Sequence, residues 1–120
     1  MKLAFAAAGR ELDSSLDQRF GRCPGFLIYD TETSETYYTD NTQNLNAAQG
    51  AGIQAATIVA DTGADYVICG HCGPKAFRTL QAARIKVICG ASGTVSDLIE
   101  KFKQGKLNSA EVPNVEGHWM

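Results

Sequence analysis

The chain has 120 residues, of which 44% are hydrophobic, a composition that fits one globular domain with its own core rather than a disordered chain. Its net charge of −2 argues against general nucleic-acid binding, and no apolar run approaches the roughly 20 residues of a membrane span. Residues 1–8 imitate a signal peptide, but Arg10 and Glu11 follow at once. We therefore predict that this stretch is a first β-strand and that the protein is cytoplasmic, with neither nucleic acid nor a membrane as partner.

The first half of the chain predicts three strands. Residues 2–8 are the first, and a polar loop over residues 9–25 follows, which is longer than most connections and so indicates function or mobility. Residues 26–30 and 36–39 are two further strands, and the short polar turn between them makes them a hairpin. Residues 40–49 are predicted to be a polar connection.

The second half alternates helices and strands. The predicted elements are a helix from residue 50 to about 61, a strand at 66–69, a helix that begins at Pro74, a strand at 85–89, and a helix that Thr94 caps and Gly105 ends. The sum is a three-layer α/β fold with a mixed five-stranded sheet and helices on both faces. We expect a single domain over residues 1–105 and a tail over residues 106–120.

A repeated phrase is the most informative feature of the chain. Residues 67–73 read Val-Ile-Cys-Gly-His-Cys-Gly, and residues 87–93 read Val-Ile-Cys-Gly-Ala-Ser-Gly. Each copy predicts a strand, a glycine turn and a helix N-terminus, and such turns direct backbone N–H groups at anions. The alternative is that both are merely tight turns that need glycine. The predicted anion cradle consists of Arg22, Gly50, Gly52, Gly70, His71, Gly73, Gly90, Ser92 and Gly93.

The four cysteines allow several kinds of chemistry. Free thiols or metal ligands are favoured over disulfides in a cytoplasmic chain. Cys69 and Cys89 occupy equivalent positions in the repeat and are expected to be small buried hydrophobes. Cys72 lies in the turn, should be partly exposed, and is with His71 the candidate metal contact. Alternatively, Cys69 and Cys72 form the redox dithiol of a thiol–disulfide oxidoreductase, or part of a zinc site.

The long loop holds two arginines beside an aromatic residue and a thiol. Arg22, and less directly Arg19, would offset the charge of a bound anion, and Cys23 could add a sulfur. The alternative is a surface loop with Phe20 packed into the core. The first strand carries no paired carboxylates for two-metal hydrolysis, which disfavours a nuclease mechanism, and no Ser–His–Asp arrangement is readable.

A resemblance to a known family runs through most of the chain. The residues that carry it are Arg19-Phe20-Gly21-Arg22, Phe26-Leu27-Ile28-Tyr29-Asp30, Gly50-Ala51-Gly52, Gly70, Gly73, Ala76-Phe77 and Ile85-Lys86-Val87. In order and spacing they resemble the dinitrogenase iron–molybdenum cofactor biosynthesis proteins. The resemblance implies a ribonuclease H-like fold and non-covalent carriage of a molybdenum–sulfur cluster, in one member a mixed molybdenum–copper sulfide. It also implies a carrier or scaffold, not an enzyme, whose partners are cluster donor and acceptor proteins.

Three hypotheses follow. The chain is a carrier of a molybdenum-containing metal–sulfur cluster, a thiol–disulfide oxidoreductase that uses Cys69 and Cys72, or an adaptor that binds another protein through the tail with Trp119. We favour the carrier because the glycine turns and the resemblance indicate the same edge of the sheet.

Overall fold

The computed structural model of the chain describes residues 1–44 and 50–109. Part of the predicted connection over residues 40–49 and most of the predicted tail, with Trp119, therefore lie outside the described residues. No helix in the described ranges is long and apolar enough to cross a membrane.

The described residues form five strands and three α-helices in the predicted order. The strands are β1 (Lys2–Ala7), β2 (Gly25–Asp30), β3 (Thr36–Asp40), β4 (Tyr66–Ile68) and β5 (Lys86–Ile88), and the helices are α1 (Ala51–Asp61), α2 (Pro74–Ala82) and α3 (Val95–Lys103). Short 3₁₀ turns cover Phe20–Arg22 and Thr42–Asn44. The last two strands are shorter than predicted, so Cys69 and Cys89 follow the strands instead of ending them.

The sheet is mixed, with the strand order β3-β2-β1-β4-β5. β1 pairs antiparallel with β2 and parallel with β4, and β4 pairs parallel with β5. The carboxyl ends of β1, β4 and β5 therefore lie at one edge of the sheet, where ligands bind in open α/β folds.

Side chains alternate between the two faces of the sheet and build two cores. On β1, Ala4 and Ala6 pack in the cluster that also contains the buried residues of α1 and α2, whereas Leu3 and Phe5 pack with those of α3. Two helices thus cover one face and one helix covers the other, as the period of two along a strand requires. The predicted three-layer α/β architecture is confirmed, and the ribonuclease H-like label stays a prediction.

Candidate functional site

The two glycine turns lie side by side at the carboxyl edge of the sheet. The Gly90 N–H donates to the Gly70 carbonyl oxygen at 2.7 Å, and the Ala91 N–H donates to the Cys69 carbonyl oxygen at 3.2 Å. The adjacency predicted from the repeat is therefore confirmed.

The long loop over residues 9–25 follows the same edge and joins both turns. The Phe20 N–H donates to the His71 carbonyl oxygen at 3.2 Å, and the His71 N–H donates to the Gln18 carbonyl oxygen at 2.8 Å. On the second turn, the Leu16 N–H donates to the Gly93 carbonyl oxygen at 2.9 Å. The loop is thus built into the site, and Phe20 is fully buried as the alternative interpretation of this loop expected.

Gln18 is a site residue that sequence analysis missed. Its amide nitrogen donates to the Ala91 carbonyl oxygen at 3.2 Å in the second turn. At the first turn, a Cβ added to Gly70 would come within 2.9 Å of the Gln18 Cα, so only glycine lets the loop pack this closely. Nothing in the local sequence marks Gln18, because its role depends on two turns more than 50 residues away along the chain.

The N-termini of α1 and α2 meet beside this loop. A Cβ on Gly52 would lie 3.2 Å from the Ala76 Cβ, and one on Gly21 would lie 3.0 Å from the Gly52 nitrogen. Neither helix has a side-chain cap or an acidic residue in its first turn. The first N–H groups of a helix have no acceptor within the helix and carry part of the positive end of its dipole. Two such ends therefore converge next to the Phe20–Arg22 turn.

The basic residues of the loop differ in how tightly the chain holds them. Arg22 is half-buried, and its Nη1 donates to the Asn44 carbonyl oxygen at 3.2 Å. Arg19 is exposed, with its Nε 3.7 Å from the Asp17 carboxylate, and it pairs with His71 along the backbone. The His71 side chain is also exposed. Of these residues, Arg22 lies in the turn that packs against the start of α1 through Gly21.

The second glycine turn leads into α3, whose N-terminus, unlike that of α2, is capped by a side chain and has an acidic residue in its first turn. The Val95 N–H donates to the Ser14 carbonyl oxygen at 3.0 Å, and the Ser96 N–H donates to the Leu12 carbonyl oxygen at 2.8 Å. Thr94 Oγ1 accepts a further bond from the Asp97 N–H at 3.2 Å, and Asp97 adds a carboxylate to the first turn. The expectation that this helix presents open N–H groups to an anion is wrong, because the long loop already occupies them.

The other predicted cradle residues near α3 lie in the second glycine turn, residues 90–93. Gly90, Ser92 and Gly93 are exposed beside the first turn. Gly90 and Gly93 have φ of 74° and 112°, values that side chains adopt with strain. Their contact with a ligand stays a prediction.

The predicted exposure of Cys72 is wrong. Its side chain is fully buried, because the turn folds it beneath the start of α2, where Sγ lies 3.8 Å from the Gly73 carbonyl oxygen. Cys69 is also fully buried, whereas Cys89 is half-buried. The described chain contains no disulfide.

The three cysteines of the repeat touch one another. Hydrogen bonds with the Cys72 and Cys89 side chains, and then burial, raise the pKa of Cys69 well above its usual 9.0. A hydrogen bond with Cys69 lowers the pKa of Cys72, but a hydrogen bond with Cys89 and burial together outweigh it and raise this pKa to about 12. A nucleophilic thiol needs the opposite shift, so the geometry disfavours the oxidoreductase alternative.

Cys23 lies in the long loop and belongs to the same core as these three residues. It is fully buried, and its thiol donates to the Phe20 carbonyl oxygen at 3.3 Å. Burial first, and then the nearby charge of Asp17, raises its pKa to about 12. The prediction that Cys23 adds a sulfur to a ligand is disfavoured, because the buried Cys23 thiol is not accessible to a ligand.

Comparison with known proteins identifies the family of the chain. The model of the family described as dinitrogenase iron-molybdenum cofactor matches residues 1–105. The chain belongs to this family. The apo form of the orange protein from Desulfovibrio gigas is similar to it with a TM-score of 0.93 and 40% identity, covering 95% of this chain and 96% of that one.

Two further proteins extend the likeness. A Thermotoga protein of the DUF35 family has a TM-score of 0.82 and 34% identity, covering 97% of this chain and 98% of its own. An uncharacterised protein of Methanocaldococcus jannaschii is 29% identical over 101 residues, which are 82% of this chain and 86% of that protein. Family membership and the orange-protein likeness together indicate a role in carrying or assembling a metal cluster.

Proposed function

We propose that this chain carries or scaffolds a molybdenum-containing metal–sulfur cluster as its cargo, in the form of a mixed molybdenum–copper sulfide. The observation that carries the proposal is the convergence of two helix N-termini, neither with a capping side chain among the described residues, beside the turn that holds Arg22. The chain performs no catalysis in this account. It receives the cluster from a donor protein and passes it to an acceptor in the cytoplasm.

The cradle suits a bulky thiometallate anion. Each helix N-terminus acts as roughly half a positive charge, and the first N–H groups of α1 and α2 supply directed donors. Arg22 and Arg19 add positive charge, and the exposed His71 can donate to a cluster sulfide. In this proposal the ion is held without covalent bonds to the protein. The cradle therefore needs no cysteine ligand, and the burial of Cys72 is compatible with it.

The role of α1 explains one of the predicted glycines. Gly50 precedes the helix with φ of 78°, so the chain enters α1 in a left-handed conformation that leaves no side chain over the helix end. Gly73 precedes α2 in an extended conformation, and Pro74 then occupies the first helical position. Among the described residues, neither helix end therefore carries a capping side chain.

Anaerobic reconstitution tests the proposal. The protein is mixed with tetrathiomolybdate and copper(I), passed through a desalting column, and analysed for molybdenum and for sulfide-to-metal charge-transfer bands. We expect a fixed molybdenum-to-protein ratio in the wild type and several-fold weaker retention in Arg22→Ala and His71→Ala. Arg78→Ala is the matched control, because Arg78 is an exposed residue further along α2.

The outcomes separate the function from the residue assignments. A wild-type protein that retains no molybdenum would contradict the carrier function itself. A wild type that retains the cluster while both variants retain it equally well would sink the roles given to Arg22 and His71. Circular dichroism of each variant checks that the fold is intact.

A further inference from the structure

The strand β3 forms an open edge of the sheet. It stands first in the strand order, and within residues 1–44 and 50–109 no further strand pairs with it. It has five residues, whereas β5 at the other edge has three. An exposed edge strand is a template for pairing with another chain unless it is very short or carries residues such as lysine or proline, and β3 contains neither of these.

The register with β2 determines which backbone groups β3 directs outward. The Asp30 N–H donates to the Glu35 carbonyl oxygen at 3.0 Å, and the Asn41 N–H donates to the Pro24 carbonyl oxygen at 2.9 Å. Residues of an antiparallel pair point their backbone groups alternately toward and away from the partner strand. Residues 36, 38 and 40 therefore direct their N–H and C=O groups away from β2, where an added strand could bind them.

A groove of about 420 Å³ lies beside this edge, between β3 and α1. Tyr37 and Thr39 line the groove, and their partners on β2 belong to the core that α1 and α2 cover. Tyr37 is 46% exposed, and its hydroxyl donates to the Thr62 carbonyl oxygen at 3.2 Å, just after α1. Side chains of an added strand that lie opposite Tyr37 and Thr39 would therefore project into the groove.

The charge of the groove indicates which kind of strand fits it. Among the described residues that line it, Asp40 and Asp61 are exposed acids and none is basic. Neither aspartate forms an ion pair within the part of the chain that the structure describes. Lys2 lies at one end only, where its Nζ donates to the Thr62 carbonyl oxygen at 3.4 Å. A lysine or arginine can lay its apolar stem along Ile58 and bring its charge to Asp61.

A second copy of this chain fits the edge less well. Antiparallel pairing of two β3 strands about Tyr38 would place Asp40 of one copy opposite Thr36 of the other, next to Glu35. Like charges would then approach each other at both ends of the pairing, which is unfavourable.

We propose that β3 and the groove beside α1 form a docking surface for an extended basic segment of a partner protein. The segment adds to the sheet as a sixth strand, with lysine or arginine at alternate positions facing the groove. The groove lies at the C-terminal end of α1, about 15 Å along the helix from the end where the cargo is proposed to bind. Partner and cargo can therefore be bound together.

A heptapeptide of alternating lysine and valine, blocked at both ends, is the probe and is titrated into ¹⁵N-labelled protein. We expect saturable amide shifts at Thr36, Tyr38 and Asp40, and weaker binding as salt is added. Asp61→Asn should weaken binding about two- to fivefold, and Glu100→Gln on α3 is the matched control, expected to bind as the wild type does. Thr36→Pro removes an outward N–H and should weaken binding roughly tenfold, whereas Thr36→Val should not.

Several results would overturn the proposal. These are no saturable shift at β3, equal binding of a peptide of alternating glutamate and valine, equal losses in Asp61→Asn and Glu100→Gln, or a wild-type dimer that Thr36→Pro dissociates. Thr36 and Asp61 are exposed, so the variants should preserve the fold, which circular dichroism verifies. The test is independent of the cargo function, since Arg22→Ala should keep peptide binding and Asp61→Asn should keep tetrathiomolybdate binding.

Discussion

The two glycine turns have nearly the same sequence and opposite chemical surroundings. The turn at residues 70–73 leads into α2, which has no side-chain cap and no acidic residue in its first turn. The turn at residues 90–93 leads into α3, where Thr94, Asp97 and two carbonyl groups of the long loop fill the helix end. Anion binding at such a turn therefore depends on what the rest of the chain leaves open, and a glycine motif alone does not decide it.

The largest expected difference between the turns is their response to alkali. In the unfolded chain a thiol ionises near its usual pKa of 9.0, whereas the Cys72 thiol keeps its proton until about pH 12 in the fold. Above pH 9 the unfolded state then binds fewer protons, so the free energy of unfolding should fall by about 1.4 kcal/mol per pH unit for each such thiol. Urea titrations between pH 8 and about 11 measure this slope.

Matched variants assign part of that slope to the first turn. Cys72→Ala removes one buried thiol and should therefore make the fall in the free energy of unfolding shallower by about 1.4 kcal/mol per pH unit. Ser92→Ala changes the equivalent, exposed position of the second turn and should leave the slope unchanged. Equal slopes in the two variants would show that Cys72 is not protected in the fold.

A carboxylate at the open helix end should weaken cargo binding. Lys75 is an exposed residue in the first turn of α2. Lys75→Glu should reduce tetrathiomolybdate affinity by about 1–2 kcal/mol, or roughly five- to thirty-fold, because negative charge at the helix N-terminus repels the anion. Lys101→Glu, with the same charge change in the last turn of α3, should have little effect. Equal losses of tetrathiomolybdate affinity in Lys75→Glu and Lys101→Glu would mean that binding depends only on the net charge of the protein.

Much of the fold could be predicted from the sequence, because local patterns determine it. Short apolar runs mark most of the strands, and Pro74, Thr94 and Gly105 mark the helix limits. The difference between the two turns was not predictable, because it arises from backbone hydrogen bonds to residues 12–20, far away in the sequence. The burial of Cys72 was missed for a similar reason, since turn residues are usually exposed.

The cap of α3 should contribute to stability and not to cargo binding. Thr94→Ala removes the acceptor for the Asp97 N–H and should lower the free energy of unfolding by about 1 kcal/mol. Thr79→Ala, which alters a hydroxyl bonded to the Lys75 carbonyl oxygen within α2, should change it by less than about 0.5 kcal/mol. A larger effect on tetrathiomolybdate affinity than on stability in Thr94→Ala would contradict the assignment of α3.

The side chain of Gln18 should have the smallest effect. Gln18→Ala removes one hydrogen bond to the second turn, and we expect a loss of about 0.5 kcal/mol in the free energy of unfolding. The exposed Gln81 on α2 gives a control variant, Gln81→Ala, with no measurable change expected. Denaturation curves of the two variants, compared at the same pH, decide whether the loop is joined to the turn through this contact.

An amide NMR titration shows at which helix N-termini a thiometallate anion binds. Tetrathiomolybdate is diamagnetic, so it can be added stepwise to ¹⁵N-labelled protein under anaerobic conditions. We expect saturable shifts at the first turns of α1 and α2, with Ile53, Lys75 and Ala76 among the largest, and much smaller shifts at Val95, Ser96 and Asp97. The largest shifts at the start of α3, or no saturable shift at either place, would contradict this expectation.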